Sequence, residues 1–175
     1  MDNLVYLGLG SNMGDSQAAI QQALSAVSKI PDARMLRTSS LYQTSPVSPL
    51  AQRDFINCAC ALSTTLSPEA LYRALHTIEQ SLGKISKEKN APRPIDIDIL
   101  FFGSYFLRTA TLNIPHPHWQ ERLFVLVPLL ELTTEILVPF NEHEECEKIN
   151  LPNLLQAFSN PHQERVTRLN AATKV

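Results

Sequence analysis

The chain has 175 residues, 44% of them hydrophobic and 18% charged, with a formal net charge of −2. This composition fits a single globular domain with its own hydrophobic core, and the slightly acidic balance argues against a general nucleic-acid or membrane-surface binder, which depends on a basic face. No apolar run is long enough for a membrane span, the opening MDNLVYLGLGSN lacks the basic start of a signal peptide, and three cysteines fit a reducing cytoplasm without disulfides.

In chain order, LVYLGLG (4–10) reads as a buried strand, and DSQAAIQQALSAVSKI (15–30) as a helix carrying Ile20, Ala23, Leu24 and Val27 on one face, ended by Pro31 and Asp32. A second strand is expected over 35–44, followed by a proline-bearing loop that could serve as a lid. FINCACALST (55–64) is a third strand. The strongest helix signal follows it: Ser67 is the expected cap, Pro68 opens the first turn with Glu69, Leu71, Leu75, Ile78 and Leu82 form the apolar stripe, and Gly83 stops it. A basic connector, KISKEKNAPRP (84–94), leads into PIDIDILFF.

The order to this point is β-α-β-β-α-β. The expected fold class is therefore α/β (α+β), a ferredoxin-like sandwich with additional C-terminal strands and helices. Beyond Gly103 the sequence suggests added strands, a mostly helical stretch broken before Pro128, an acidic loop over 141–150 and a short helix at LPNLLQAF. Residues 1–160 are expected to form a single domain and 161–175 a loose C-terminal tail.

Chemistry concentrates in PIDIDILFF. Alternation along a strand sends Ile95, Ile97 and Ile99 to one face and Asp96, Asp98 and Leu100 to the other. Same-face positions lie roughly 6.5–7 Å apart at Cα, so two ionised carboxylates there repel unless water or a cation screens them. A solvated outer face would suffice; hard oxygen donors paired in this way also suit Mg²⁺. Lys84, Lys87, Lys89 and Arg93 crowd the connector, and Pro92 and Pro94 restrict Arg93 to extended geometry. A basic loop opening onto a diacid suits a polyphosphate, although a solvated linker has the same composition.

Three glycines in GLGSNMGD (8–15) mark a tight turn with close backbone approach, but the spacing matches neither a Walker A loop nor the dinucleotide fingerprint. Phe55 and Asn57 share a face of the third strand with Ala59 and Ala61, a combination able to stack a flat heterocycle and read its edge, or simply to fill a core. Cys58 and Cys60 on the opposite face lack a second ligand pair and read as small buried hydrophobes rather than a zinc site. His116, His118, Arg122 and Phe124 gather in NIPHPHWQERLF, where phosphate contact by His116 and Arg122 is a better reading than metal binding.

KNAPRPIDIDIL (89–100), with GSNMGD (10–15), YQTSPV (42–47), FINCA (55–59) and IPHPHWQERLFVLVPL (114–129), resembles the 6-hydroxymethyl-7,8-dihydropterin pyrophosphokinases of folate biosynthesis, from about residue 3 to 140 and in the family's order. The resemblance implies transfer of pyrophosphate from ATP to the hydroxymethyl oxygen of the pterin, with release of AMP. Asp96 and Asp98 would then hold two Mg²⁺. Thr44, Ser45, Val47, Phe55, Asn57, Asp96 and Phe124 would form the pterin site, with the ring between the two phenylalanines. Glu79, Arg93, Ile99, Leu112, Asn113, His116 and Arg122 would surround ATP, with Lys84 and Lys87 sharing its charge. Arg93, Asp96, Asp98 and Arg122 would be the catalytic set, and no general base is assigned.

The sequence departs from better-known members at Ser45, where they carry proline, at Ser86 and Thr111, where they carry arginine, and near Asn90, where they carry tryptophan. A cytoplasmic monomer acting on small molecules, without nucleic-acid or membrane partners, is the expectation. A non-catalytic, regulatory binder of pterin and nucleotide on the same fold is the alternative. An RNA-recognition domain is disfavoured, because the third strand lacks the basic aromatic pattern such domains use.

Overall fold

A computed structural model describes residues 2–47, 51–84, 92–141, 143 and 145–170. Strand β1 (Asn3–Ser11) leads through helix α1 (Ser16–Val27) to β2 (Ala33–Thr38), β3 (Tyr42–Thr44) and β4 (Phe55–Thr64). Helix α2 (Pro68–Ser81) and strand β5 (Asp96–Phe102) complete the expected unit. Asp15 caps α1 by accepting from the Ala18 N–H, and Ser67 caps α2 by accepting from the Ala70 N–H. Each side-chain oxygen satisfies a first-turn donor that has no carbonyl of its own to bond.

The expected second strand is two short strands separated at 39–41, and both pair with β4. β4 in turn pairs with β1, and β1 with β5, all antiparallel. With β2 and β3 taken as one interrupted strand, the order is that of a ferredoxin-like sheet, with β1 and β4 central. Ile20, Ala23 and Val27 of α1 and Leu71 and Leu75 of α2 pack on one face against Leu7, Cys58, Cys60, Leu62, Ile97 and Ile99. The two cysteines are buried and free, and burial pushes the Cys60 thiol up to about 12; neither is poised for chemistry.

The rest of the chain covers the other face. β6 (Leu107–Arg108) and β7 (Asn113–Ile114) make a small ribbon, and a 3-10 turn at Trp119–Glu121 leads into α3 (Leu123–Leu130). β8 (Glu135–Pro139) pairs with β9 (Cys146–Asn150), then come α4 (Leu151–Gln156) and β10 (Val166–Arg168). Trp119, Val125, Leu126, Leu129 and Leu151 pack on Tyr6, Ala59, Ala61, Leu100 and Phe101.

Three expectations need correction. Pro128 lies inside α3 rather than ending it; its missing N–H forfeits one intrahelical bond, and burial of Val125, Leu126 and Leu129 offsets that loss. The acidic loop over 141–150 becomes strand from Cys146 onward. The tail is not loose throughout, since Val166–Arg168 adds to the sheet edge at β3 with Val166 opposite Thr44. Propensity missed both strands because β10 pairs with a strand far away in sequence and β9 is itself largely polar.

Candidate active site

The pocket arises from sheet register. Gly10 of β1 sits between Asn57 of β4 and Asp96 of β5, and Gly8 between Ala59 and Asp98. Adjacent strands are about 4.8 Å apart, so β4 and β5 stand roughly 10 Å apart across β1. With no Cβ on the middle strand, the two rows form a shallow floor with an amide on one side and two carboxylates on the other. A Cβ at Gly10 would meet Asn57 Oδ1 at 2.6 Å. These two glycines therefore make the floor rather than the turn the sequence suggested; only Gly14, at φ +61°, serves the turn.

Alternation on β5 holds up to Leu100, with Ile97 and Ile99 in the helix-facing core and Asp96, Asp98 and Leu100 opposite. A bulge then follows: Tyr6 opposes Phe101 and Leu7 opposes Ile99, leaving Leu100 unpaired in the ladder. Leu100 and Phe101 consequently both face α3. Alternation already puts Leu100 in the pocket floor beyond the acidic pair, and the bulge adds Phe101 to the same face.

The resulting cavity holds about 410 Å³, within the range of small-molecule sites. All seven residues assigned to the pterin line it: Thr44, Ser45, Val47, Phe55, Asn57, Asp96 and Phe124. Arg93, Asp98, His116 and Arg122 line it too. Asn57 donates to Thr44 Oγ1 at 2.6 Å, which fixes the amide. The Arg122 guanidinium carbon lies 5.5 Å from the centre of the Phe124 ring, within cation–π range.

Asp96 is the hub of an ion network. Lys84 Nζ lies 2.5 Å from its Oδ1 and Arg93 Nη1 2.5 Å from its Oδ2. Lys84 also bonds Glu79 Oε1 at 2.7 Å, and that oxygen accepts from the Ile97 N–H at 2.7 Å. Burial works to raise the Asp96 pKa, but Arg93 and Lys84 outweigh it and hold the carboxyl below the usual range. Burial wins at Glu79, whose pKa is raised despite Lys84. Burial opposes the charge on Lys84, yet the two carboxylates raise its pKa. Crowding by protein, then the charges on Asp96 and Glu79, push Asp98 up to about 7.

Burial, followed by the nearby Arg122 and His118, brings His116 down to about 4, so its ring is neutral at pH 7. The His118 N–H donates to His116 Nδ1 at 3.3 Å, which leaves the proton on Nε2 as a donor.

Other expected residues lie elsewhere. Glu79 and Lys84 are beneath Asp96 rather than in the cavity wall. Ile99 and Leu112 are in the core, so their side chains point away from the pocket, and Asn113 pairs with Arg108 in the small ribbon. Lys87, Lys89, Ser86 and Asn90 are outside the described residues.

Sequence reasoning missed Asn12. It is 4% exposed, its backbone N–H donates to the Arg93 carbonyl at 3.2 Å, and its Oδ1 accepts from the Arg93 N–H at 2.9 Å. Its Nδ2 also donates to Gln52 Oε1 at 2.8 Å. One amide thereby joins the end of β1, the loop before β4 and the connector before β5; a polar Asn following a buried strand was the only local sign.

Among the described residues no group of three or more His, Cys, Asp or Glu side chains is arranged to hold a metal ion. The donors available to a metal are the hard oxygens of Asp96 and Asp98; Lys84 and Arg93 already contact Asp96, whereas Asp98 has no cationic partner among the described residues. That donor set fits a divalent ion whose remaining ligands come from phosphate and water.

The sheet of a mixed α/β fold here floors a pocket with paired carboxylates, flanked by aromatic rings and arginines, an arrangement chemically able to take a flat ring and a phosphate chain. The comparisons specify it further. The model of the 7,8-dihydro-6-hydroxymethylpterin-pyrophosphokinase (HPPK) family matches residues 6–134. The 2-amino-4-hydroxy-6-hydroxymethyldihydropteridine pyrophosphokinase of Pseudomonas aeruginosa is 39% identical over 153 residues, 87% of this chain and 90% of that protein. The folic acid synthesis protein fol1 of Schizosaccharomyces pombe is 38% identical over 164 residues, 91% of this chain but 22% of fol1, so the chain spans about a fifth of that protein. The HPPK-DHPS of Plasmodium falciparum, solved with pterin and p-hydroxybenzoate, superposes with a TM-score of 0.64 at 16% identity, covering 89% of this chain and 43% of that one, a likeness of fold. The chain belongs to the HPPK family.

Proposed function

We propose that the chain transfers pyrophosphate from ATP to the hydroxymethyl group of 6-hydroxymethyl-7,8-dihydropterin, giving the pterin diphosphate and AMP in folate synthesis. Membership of the HPPK family supports the reaction. The observation that carries its assignment to this pocket is the row Asn57–Gly10–Asp96, in which an amide and a carboxylate face each other across a floor without side chains. A bicyclic ring lies flat on such a floor, with Phe55 and Phe124 as stacking partners and its edges toward Asn57 and Asp96.

Asp96 and Asp98 are the residues that would hold Mg²⁺, two ions in this reading. Metal bound there would neutralise phosphate charge and polarise the phosphorus under attack. The protein's own groups do the rest. Arg93 and Arg122 supply fixed positive charge at the pocket rim, where stabilisation of developing phosphate charge is typically worth about 3–4 kcal/mol per donor. His116 offers a neutral Nε2–H to a phosphate oxygen. Glu79 and Lys84 set the charge and orientation of Asp96 from below. Small molecules are the only partners this chemistry calls for, and a cytoplasmic monomer completes the reading.

Incubation with Mg-ATP and the pterin, followed by chromatography of the adenine nucleotides, tests it. AMP formed only in the presence of pterin is the expected result. ADP would mean transfer of a single phosphoryl group, and binding of both ligands without any product would favour the non-catalytic alternative.

A further inference from the structure

Helix α3 begins with Arg122 at its N-cap, and no side-chain cap comes from that residue. An arginine carries only donors, so the first N–H groups of the helix need an acceptor from elsewhere. It comes from 40 residues downstream, where Glu164 Oε2 accepts from the Phe124 N–H at 3.3 Å. Glu164 is 5% exposed and its other oxygen is buried without a hydrogen-bond partner among the described residues. Asn160 fixes the backbone beneath it, with Oδ1 accepting from the Glu164 N–H at 2.7 Å and Nδ2 donating to the Glu164 carbonyl at 3.1 Å.

The same segment grips a second part of the pocket lining. The Ser45 N–H donates to the Arg165 carbonyl at 3.0 Å, and the Arg165 N–H donates to Ser45 Oγ at 2.9 Å. β10 then pairs along β3, with Val166 opposite Thr44, and the Leu169 N–H donates to the Leu41 carbonyl at 2.8 Å. Thr44 and Ser45 on β3 and its following loop, and Arg122 and Phe124 at the start of α3, all line the cavity.

We propose that Glu164 is a positioning residue for the pterin pocket, and that the C-terminal segment carrying it ties these two parts of the pocket lining together; this rests on the pyrophosphokinase reading. A carboxylate at a helix N-terminus both satisfies donors and matches the helix dipole. Arg122 and Phe124 leave the chain at the first turn of α3, so a frayed turn swings the stacking ring and the guanidinium out of place. Asp96 and Asp98 stand on the sheet and do not depend on that turn.

The test uses the full chain with Glu164→Ala and Glu164→Gln, read by pterin Kd from ligand fluorescence, by KM for each substrate and by thermal midpoint. Glu164→Ala is expected to raise pterin Kd and KM about tenfold, equivalent to about 1.4 kcal/mol, with a smaller rise in KM for ATP that comes through the displaced Arg122. Glu164→Gln keeps an acceptor oxygen and restores most of the pterin affinity. If Glu164→Ala does not fold, Glu164→Asp, one methylene short of the Phe124 N–H, is read by the same criteria. An active wild type whose folded variant shows unchanged pterin binding, or equal losses for both substrates, overturns the inference alone. A wild type that forms no AMP and binds no pterin overturns the functional reading and the inference with it.

Discussion

The amide of Asn57 occupies the space that a side chain at Gly10 would need: its Oδ1 lies 2.6 Å from where a Cβ would stand. The amide cannot simply turn aside, because its Nδ2 is bonded to Thr44 Oγ1. Gly10→Ala must therefore displace Asn57 and fill the floor together. The expected outcome is a loss of about 1–3 kcal/mol in stability from overpacking and a rise in pterin KM of at least about tenfold. Denaturant unfolding and substrate kinetics check both, and an unchanged pterin KM would place the ring elsewhere.

Asp98→Ala removes a carboxylate proposed to hold metal and leaves Asp96 alone. Loss of metal-borne charge stabilisation worth several kcal/mol predicts a fall in kcat of roughly a thousandfold or more, at about 1.4 kcal/mol per decade. Circular dichroism should show a folded protein, because Asp98 makes no hydrogen bond or ion pair to other described residues. Near-normal turnover would sink the assignment.

The raised pKa of Asp98, about 7, has a defined sign in the metal-free protein. An unfolded aspartate titrates near 3.9, so between about pH 4 and 7 the folded state binds more protons than the unfolded. Stability therefore falls as pH rises through that window and levels off above it. Asp98 is solvent-exposed on the pocket floor, which reduces the effect relative to a fully buried carboxyl. Thermal midpoints of wild type and Asp98→Asn should diverge from pH 4 to 7, with Asn the more stable at the upper end. Midpoints that run parallel would show that Asp98 titrates as an ordinary surface carboxyl.

Lys84 bridges Glu79 and Asp96 beneath the pocket. Lys84→Met leaves two largely buried carboxylates facing each other without that cation. Removing one member of a buried ion pair costs about 3–5 kcal/mol, and the partial exposure of Lys84 puts the expected loss nearer the lower figure. Urea unfolding at pH 7 measures it. The deficit should shrink on acidification into the carboxylate range, as protonation removes the repulsion; a deficit constant with pH would mean the loss comes from packing.

Much of this site was legible before any tertiary contact. Period-two alternation put Asp96 and Asp98 on one face and the isoleucines on the other, and the same rule separated Phe55 and Asn57 from Cys58 and Cys60. Ser67 and Pro68 announced α2, and the quoted segments pointed to the family. What alternation could not show was the bulge at Leu100, because a bulge depends on the partner strand's register. Leu112 likewise came with the resemblance, and only packing revealed that its side chain faces the core; for Ile99, alternation already pointed away from the aspartates.

The sequence by itself determined the order of elements from β1 to β5, the faces of β4 and of β5 as far as Leu100, and the chemical character of the acidic pair, because these follow from local geometry and side-chain type. Only the tertiary structure decided that Gly8 and Gly10 lie between those aspartates and the amide-bearing strand, that Asn12 holds Arg93, and that Glu164 caps α3 from the far end of the chain. Each of these relations joins residues tens of positions apart. Their energies come from pairing, packing and desolvation in the folded state, which no local pattern encodes.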